Sequence, residues 1–360
     1  MLLESVRGLT ASGANVVVAL PQQGELVPHL LSAGARVVII PMLVLRKALL
    51  RPANWPHLFA AASRGFAAAV RLLRRIRPDV VLVNTVTLPQ WPVASAITRT
   101  RCVTHIHEAE ASGSPMLNRA VYLPHLLSEQ TIVNSAFTRQ TMGRAFSRLA
   151  DRSTLVWNGV EGPSDPRGPR TELNAVHLLY VGRLSPRKGP DIAIAALSVL
   201  RGRGCDADLT LLGSAFTGYE WFEKKLRDEV DAQGLTDHVE FAGFTEDVWP
   251  VFAASDLVLV PSLFDEPFGN VAVEGVLAER PVVASGTSGL REAVGDYPSA
   301  VLVPPGDAER LADAVESIVR AWPEMAARTA ASSAAARSRH APHEYHRAVS
   351  RIVIGEPHAS

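Results

Sequence analysis

The chain has 360 residues, enough for two domains of ordinary size. Hydrophobic residues make up 47% of it and charged residues 20%, which indicates a globular rather than a disordered protein. Lys plus Arg balances Asp plus Glu at 36 each, so no global basic excess points to nucleic acid. Cys102 and Cys205 fit no metal-ligand spacing and are interpreted as reduced thiols.

Export and membrane-spanning signals are also missing from the sequence. No uncharged apolar run reaches the length of about 18 residues that a transmembrane helix needs. Glu4 and Arg7 interrupt any apolar core of a signal peptide. We therefore expect a cytoplasmic protein, and peripheral contact with the inner face of the membrane stays open.

The first half of the chain alternates short β-branched runs with helical stretches. Met1–Leu9 reads as a helix that ends near Ser12 and Gly13. Nearly continuous apolar runs follow, as is typical of parallel strands covered on both faces. The predicted strands are Asn15–Leu20, Arg36–Ile40, Asp79–Val83, Arg101–Ile106, Thr131–Val133 and Thr154–Val156.

A basic amphipathic helix is predicted between the second and third of these strands. Arginines recur from Arg64 to Arg77 and interleave with apolar residues such as Phe66 and Val70. Such a helix could lie on anionic lipid, or it could form the solvated outer face of a βα unit. The second interpretation is preferred, and the first stays open.

The second half repeats the alternation of strands and helices. Two such blocks predict two doubly wound α/β domains, divided near Asn158-Gly159-Val160 at the start of a Pro/Gly/Asp-rich stretch. The predicted division is 1–160, 161–335, and a C-terminal helix and tail at 336–360 that packs back on the first domain. The predicted strands are His177–Val181, Asp208–Leu212, His238–Phe241, Leu257–Val260, Pro281–Ser285 and Ala300–Val303.

A Gly-rich basic loop follows the first strand of this second block. Gly182 and Gly189 bracket it and permit a tight turn, and Pro190 suits the first turn of the next helix. Arg183 and Lys188 then stand beside a helix N-terminus, which is a good setting for a diphosphate. Solvated basic residues in an ordinary βα loop are the alternative.

Two glutamates eight positions apart mark another loop that joins a strand to a helix. Glu266 lies in the loop, and Glu274 is expected in the first turn of a helix that starts near Val271. Gly269 would let an anion approach the helix start, and a carboxylate at Glu274 could accept hydrogen bonds from vicinal hydroxyls. Helix capping by acidic residues is the simpler explanation of the pair.

Taken in order, these motifs resemble the retaining GT-B glycosyltransferases of family 4, the glycosyl transferases group 1. The resemblance rests on Gly182–Gly189, on Glu266–Glu274, on Pro281–Ala284 after it and on Asn158–Val160. It implies two Rossmann-like domains facing across a cleft. The chain departs from the family at 278–280, where Ala-Glu-Arg replaces a frequent Ala-x-Gly.

The resemblance also implies roles for individual residues. Catalytic roles fall on a histidine after the fourth strand, two cations that bind the donor diphosphate, and a glutamate that contacts the sugar: His107, Arg183, Lys188 and Glu266. His105 is expected to point away from this site. Donor-binding roles fall on loop residues near the diphosphate and sugar, a residue facing the base and a glutamate on the ribose: Gly182, Phe244, Phe268, Gly269, Asn270 and Glu274.

The implied reaction is transfer of a hexose-type sugar from a nucleoside diphosphate to an acceptor hydroxyl with retention. No metal and no cofactor are expected beyond the nucleotide-sugar donor. The acceptor would be a glycan or a lipid-linked molecule in bacterial polysaccharide or glycolipid synthesis. Two alternatives remain open: a nucleotide-sugar epimerase on the same fold, and a non-catalytic nucleotide-sugar-binding remnant.

The start of the chain departs from the family it resembles. Family members begin with a strand and a Gly-rich loop before their first helix, whereas Met1–Leu9 already reads as that helix. The N-terminal sheet is therefore expected to lack its first, central strand. Unpaired strand edges inside a domain are costly, so either the true start lies upstream or the N-terminal sheet is rearranged, and the first interpretation is preferred.

Overall fold

The computed structural model describes residues 1–45, 49, 51–108 and 115–355. The chain divides into two compact units, Met1–Gly159 with Pro342–Ser360 and Val160–Ala341. The sequence-based division placed a boundary after residue 335, but the chain returns to the first unit only at Pro342. The last five residues of the predicted segment 336–360 lie outside the described residues.

Among the described residues, the first unit contains six strands, and their pairings are all parallel. Each predicted strand of this half is found, with bounds that differ by at most two residues. The elements are α1 (Leu2–Ala11), β1 (Val17–Leu20), α2 (Leu26–Ser32), β2 (Arg36–Ile39), α3 (Trp55–Ile76), β3 (Val80–Val83), α4 (Gln90–Thr98), β4 (Arg101–Ile106), α5 (Pro115–Tyr122), β5 (Gln130–Val133), α6 (Ala136–Ala145), α7 (Ser147–Asp151), β6 (Ser153–Leu155) and, from the chain's end, α15 (Pro342–Ile354).

These strands form two sheets rather than one. β1 pairs with β2, and β3, β4, β5 and β6 pair in that order. Among the described residues, no ladder joins β1 to β3, so each of them has an open edge. The interruption agrees with the expectation that the first strand of this sheet is lacking.

Side chains, not backbone pairing, hold the two sheets together. On one face Val16, beside β1, and Leu82 of β3 pack against the same core, which contains Tyr345 and Val349 of α15. On the other face Ala19 of β1 packs against the core that contains Val83 of β3. Burial of each large apolar side chain contributes roughly 1.5–3 kcal/mol, so α15 is a substantial part of this unit's stability.

The second unit is a doubly wound domain around one six-stranded parallel sheet. The strand order is β12-β11-β10-β7-β8-β9, and helices cover both faces of the sheet. Every predicted strand of this half is present. The elements are β7 (Val176–Val181), α8 (Pro190–Gly202), β8 (Ala207–Leu212), α9 (Glu220–Ala232), β9 (Val239–Gly243), α10 (Trp249–Ala254), β10 (Leu257–Val260), α11 (Asn270–Leu277), β11 (Val282–Ser285), α12 (Ser288–Val294), β12 (Ala300–Val303), α13 (Ala308–Arg320) and α14 (Trp322–Arg339).

Candidate active site

The six-stranded sheet has one topological switch point, between β7 and β10. From β7 the chain moves outward through β8 to β9, and then returns to β10 and moves the other way to β12. Ligands of open α/β sheets bind outside the carboxyl ends of the strands at such a point. The loops after β7 and after β10 hold the two motifs singled out in the sequence.

The loop after β7 is fixed against the loop after β10. Gly189 has φ +67°, and a Cβ there would lie 2.1 Å from the Pro261 carbonyl oxygen, so only glycine fits. The Leu263 amide donates to the Arg187 carbonyl at 3.0 Å, and the Arg187 guanidinium donates to the Asp265 carbonyl. The two loops therefore form one support for the side chains between them.

Lys188 and Glu266 meet across this support. The Lys188 ammonium lies 2.8 Å from Oε1 of Glu266, and the Ser262 hydroxyl donates to the same oxygen at 2.9 Å. Glu266 is 7% exposed, so its charge is largely removed from water and depends on these two partners. Lys188 keeps a quarter of its side chain exposed, which leaves N–H donors for a ligand.

Glu274 lies on α11, close enough to Lys188 to feel its charge. The helix begins at Asn270, so Glu274 lies in its second turn. The sequence-based prediction, which placed Glu274 in the first turn, is wrong. Burial raises the pKa of Glu274 to about 7, and the charge of Lys188 opposes that rise. The carboxyl group is thus poised between its neutral and charged forms near neutral pH.

The backbone just before α11 passes close to Leu290 and requires a glycine at position 269. Gly269 has φ +118°, and a Cβ there would lie 2.5 Å from Cδ2 of Leu290. Phe268 before it is buried and packs edge-on against the His340 ring at 5.6 Å. The backbone at Asn270 is therefore fixed, with the helix N-terminus at the carboxyl edge of the sheet.

The remaining predicted residues of this unit are exposed or lie at a strand end. Arg183 is exposed, and its guanidinium carbon lies 5.3 Å from the centre of the Phe216 ring. Gly182 follows β7, and its amide donates to the Leu212 carbonyl at 2.9 Å. Phe244 follows β9 with 72% of its surface exposed.

Sequence reasoning missed three residues that shape this site. Ser262 lies two residues after β10, and its hydroxyl donates to Oε1 of Glu266. Asp265 accepts from the backbone amide and hydroxyl of Ser288 at the start of α12. The sequence did not indicate Phe216, because its ring lies beside Arg183 although the two residues are 33 positions apart. Phe216 belongs to the connection between β8 and α9. A lone Phe in a loop carries no motif that would have shown it.

His107 belongs to the first unit and follows the end of β4. Its Nε2 lies 3.7 Å from Oε1 of Glu108, and its Nδ1 is buried without a partner in the part of the chain that the structure describes. Burial lowers the pKa of His107, which favours the neutral imidazole. A neutral ring with a free nitrogen can donate to or accept from a hydroxyl.

The expectation for His105 is wrong. Its ring lies 5.2 Å from that of His107 instead of pointing away, because residues two apart along an extended strand share a face. Nδ1 of His105 hydrogen-bonds to Oδ1 of Asn84 at 3.0 Å, and burial lowers the pKa of this histidine strongly. His105 therefore forms part of the wall beside His107.

Metal-binding clusters and membrane-spanning helices are both absent from the described residues. Within those ranges, no group of three or more His, Cys, Asp or Glu side chains is arranged to hold a metal ion. None of the described helices is both long and apolar enough to cross a membrane.

Comparisons with known proteins agree with this geometry. Residues 1–161 match the model of glycosyltransferase family 4, and residues 166–336 match the model of glycosyl transferases group 1. The chain belongs to the group 1 glycosyltransferase family. Its two Rossmann-like units have the GT-B fold, as does Anabaena HepE in complex with UDP, with a TM-score of 0.81 at 24% identity over 98% of this chain and 94% of that one.

Curated relatives are more similar in sequence but are matched over part of their length. The glycogen synthase of Mycobacterium tuberculosis is 33% identical over 261 residues, which are 68% of this chain and 61% of that protein. The D-inositol 3-phosphate glycosyltransferase of Mycolicibacterium smegmatis is 32% identical over 58% of this chain and 49% of its own length. The chain thus spans about half to three fifths of these relatives.

Proposed function

We propose that the chain is a retaining glycosyltransferase that moves a sugar from a nucleoside diphosphate to an acceptor hydroxyl. The observation that carries the proposal is the placement of Lys188 at the switch point. There it touches Glu266 at 2.8 Å, four residues before α11 begins at Asn270, and keeps a quarter of its side chain exposed. A cation and a nearby helix N-terminus suit a diphosphate leaving group.

Departure of the diphosphate is the step that these residues would assist. The bond between the anomeric carbon and the phosphate oxygen breaks, and negative charge grows on that oxygen. Arg183 and Lys188 stabilise this charge, while the acceptor hydroxyl attacks from the same face and gives its proton to the departing phosphate. Glu266 keeps Lys188 in place and contacts the sugar hydroxyls. This chemistry needs no metal and no further cofactor.

Glu274 and His107 would hold other parts of the substrates. The ionised Glu274 carboxylate accepts two hydrogen bonds from the ribose hydroxyls. The neutral His107 ring, with its unpartnered nitrogen, is suited to a sugar hydroxyl. Phe244, exposed after β9, would face the base.

Names of similar proteins suggest which substrates to test first. Anabaena HepE has been crystallised with UDP-glucose, so UDP-sugars are the first donors to try. Relatives named for inositol phosphate and phosphatidylinositol point to glycan or lipid-linked acceptors in bacterial polysaccharide or glycolipid synthesis. We propose a cytoplasmic location, where such donors are made.

Peripheral membrane contact is a narrower proposal that rests on α3. Its sequence contains no acidic residue, and Arg64, Arg71, Arg74 and Arg75 are exposed. Trp55 is also half exposed at the beginning of the helix. A helix of this kind can lie on anionic lipid. When sedimented with phosphatidylglycerol vesicles, the wild type should pellet with the lipid. A variant with these four arginines changed to Gln should stay in the supernatant.

Substitution of Lys188 tests the catalytic assignment. Lys188→Ala should lower kcat by about 10²–10³, the usual effect of losing one group that stabilises developing charge. Lys224→Ala is the matched control, because Lys224 lies in the same unit and is 74% exposed in an ion pair with Asp228. Lys188→Met combined with Glu266→Gln removes both charges of the ion pair, so that no unpaired buried charge destabilises the fold. Full turnover in folded Lys188→Ala protein would refute the assignment.

Incubation with donor alone separates the competing functions. An epimerase would convert the sugar without any acceptor, which NMR of the donor would detect. A binding remnant, favoured by the interrupted N-terminal sheet, would raise the melting temperature with donor but give neither hydrolysis nor transfer. Acceptor-dependent release of the nucleoside diphosphate would support the transferase.

A further inference from the structure

The guanidinium group of Arg183 lies against an aromatic ring. Among the residues that the structure describes, no ion pair to Arg183 is found, whereas Lys188 is paired with Glu266. What contacts its guanidinium group is the face of the Phe216 ring, 5.3 Å away. Both side chains are exposed, at the carboxyl ends of the adjacent strands β7 and β8.

We propose that Phe216 is a positioning residue that orients Arg183 for the donor diphosphate. A ring attracts a guanidinium group through its quadrupole and carries no net charge. A carboxylate would orient the same group but would cancel the positive charge that a diphosphate needs. The ring can therefore orient Arg183 before a diphosphate binds. This inference rests on the function proposed above.

The ring itself is anchored to the core of the unit. Tyr219 packs against Phe216 with ring centres 4.4 Å apart, and the Tyr219 amide donates to the Phe216 carbonyl at 2.9 Å. Trp221 stacks on Tyr219 at 6.4 Å and meets Phe222 edge-on at 5.5 Å. Phe222 is 2% exposed, so this row of rings connects the loop surface to buried structure.

The backbone of Arg183 is anchored separately. The buried Tyr180 hydroxyl donates to the Arg183 carbonyl at 2.8 Å from the strand below. The Leu184 amide donates to the Ser214 carbonyl at 3.1 Å, which ties the loop after β7 to the loop that carries Phe216. Because the main chain of Arg183 is fixed, only its side-chain torsions remain free. The Phe216 ring restricts those torsions.

Titration with inorganic pyrophosphate, followed by NMR, tests this role without knowledge of the sugar or base. Phe216→Leu should weaken pyrophosphate binding about two- to fivefold, the effect of losing an exposed cation–π contact. It should also move the Arg183 side-chain N–H signal, because the ring-current shift is lost. Phe216→Tyr keeps the ring and should restore both. Phe241→Leu is the matched control, since it removes a second contact of this type, with Arg227 at 4.1 Å.

Combination with Arg183→Ala separates this inference from the proposed function. If Phe216 acts through Arg183, Phe216→Leu should add no further loss in the Arg183→Ala background. If Arg183→Ala itself binds pyrophosphate as the wild type does, the diphosphate clamp is wrong. If Arg183→Ala weakens binding while Phe216→Leu does not, or if the two losses add, the clamp stands and the positioning role is overturned.

Discussion

Glu274→Gln would replace a titrating carboxyl group by a neutral amide of the same shape. Glu274 lies in the second turn of α11, where burial raises its pKa from 4.5 to about 7 despite the nearby charge of Lys188. The unfolded chain, by contrast, exposes this group to water and keeps the ordinary pKa. The substitution therefore isolates one group's contribution to the pH dependence of stability.

The sign follows from which state binds the proton more tightly. Below pH 4.5 the carboxyl group is neutral in both states and carries no penalty. Between 4.5 and about 7 the unfolded state ionises first, so the free energy of unfolding falls as pH rises. Above pH 7 the folded state carries the full penalty of roughly 3 kcal/mol, because each pH unit between the two pKa values contributes about 1.4 kcal/mol.

Urea unfolding of both proteins from pH 5 to pH 8 measures this contribution. The free energy of unfolding of the wild type, relative to Glu274→Gln, should fall by about 2.5 kcal/mol over that range. Other titrating groups cancel in the comparison, because they are common to both proteins. Equal pH slopes in the two proteins would show that the Glu274 carboxyl group is not held neutral by burial.

Further predictions concern a backbone strain, a buried histidine and a close contact. Glu279 has φ +58°, so Glu279→Gly should raise the free energy of unfolding by about 0.5–1 kcal/mol, seen as a higher melting temperature. Burial lowers the pKa of His125 from 6.5 to about 4, so the wild type should lose roughly 3 kcal/mol as pH falls through that range, and His125→Gln should show a flatter urea-unfolding profile. A Cβ at 269 would clash with Leu290, so Gly269→Ala should lower the melting temperature and abolish stabilisation by the donor, whereas Gly204→Ala, at an open exposed turn, should keep that stabilisation.

Local sequence patterns predicted the fold because its central strands, β4, β10 and β11, are buried on both faces. Runs such as Leu257–Val260 are apolar throughout, and the chain must place them inside a parallel sheet. The Gly182–Gly189 and Glu266–Glu274 spacings located the loops at the switch point for a similar reason: tight turns need glycine, and parallel strands bring their carboxyl ends together. Ser262 and Phe216 were not predicted, since their roles depend on which loops become neighbours.

The error at His105 has a different origin. The alternation of side chains along a strand puts residues two apart on one face, and the histidine pair obeys it. The raised pKa of Glu274 could not be predicted from the sequence either, because the burial of one carboxyl group depends on the packing around α11.

The interruption between β1 and β3 has a consequence for how the first unit opens. The block of α1, β1, α2 and β2 has a small core of its own around Val6, Val18 and Leu30, and in the described chain no ladder bonds tie it to β3. Loss of side-chain contacts alone can therefore release it, without breaking any β3–β6 pairing. Amide hydrogens of β1 and β2 should exchange with solvent through this partial unfolding well before those of β4 and β5, which makes the block a separate cooperative unit of the molecule.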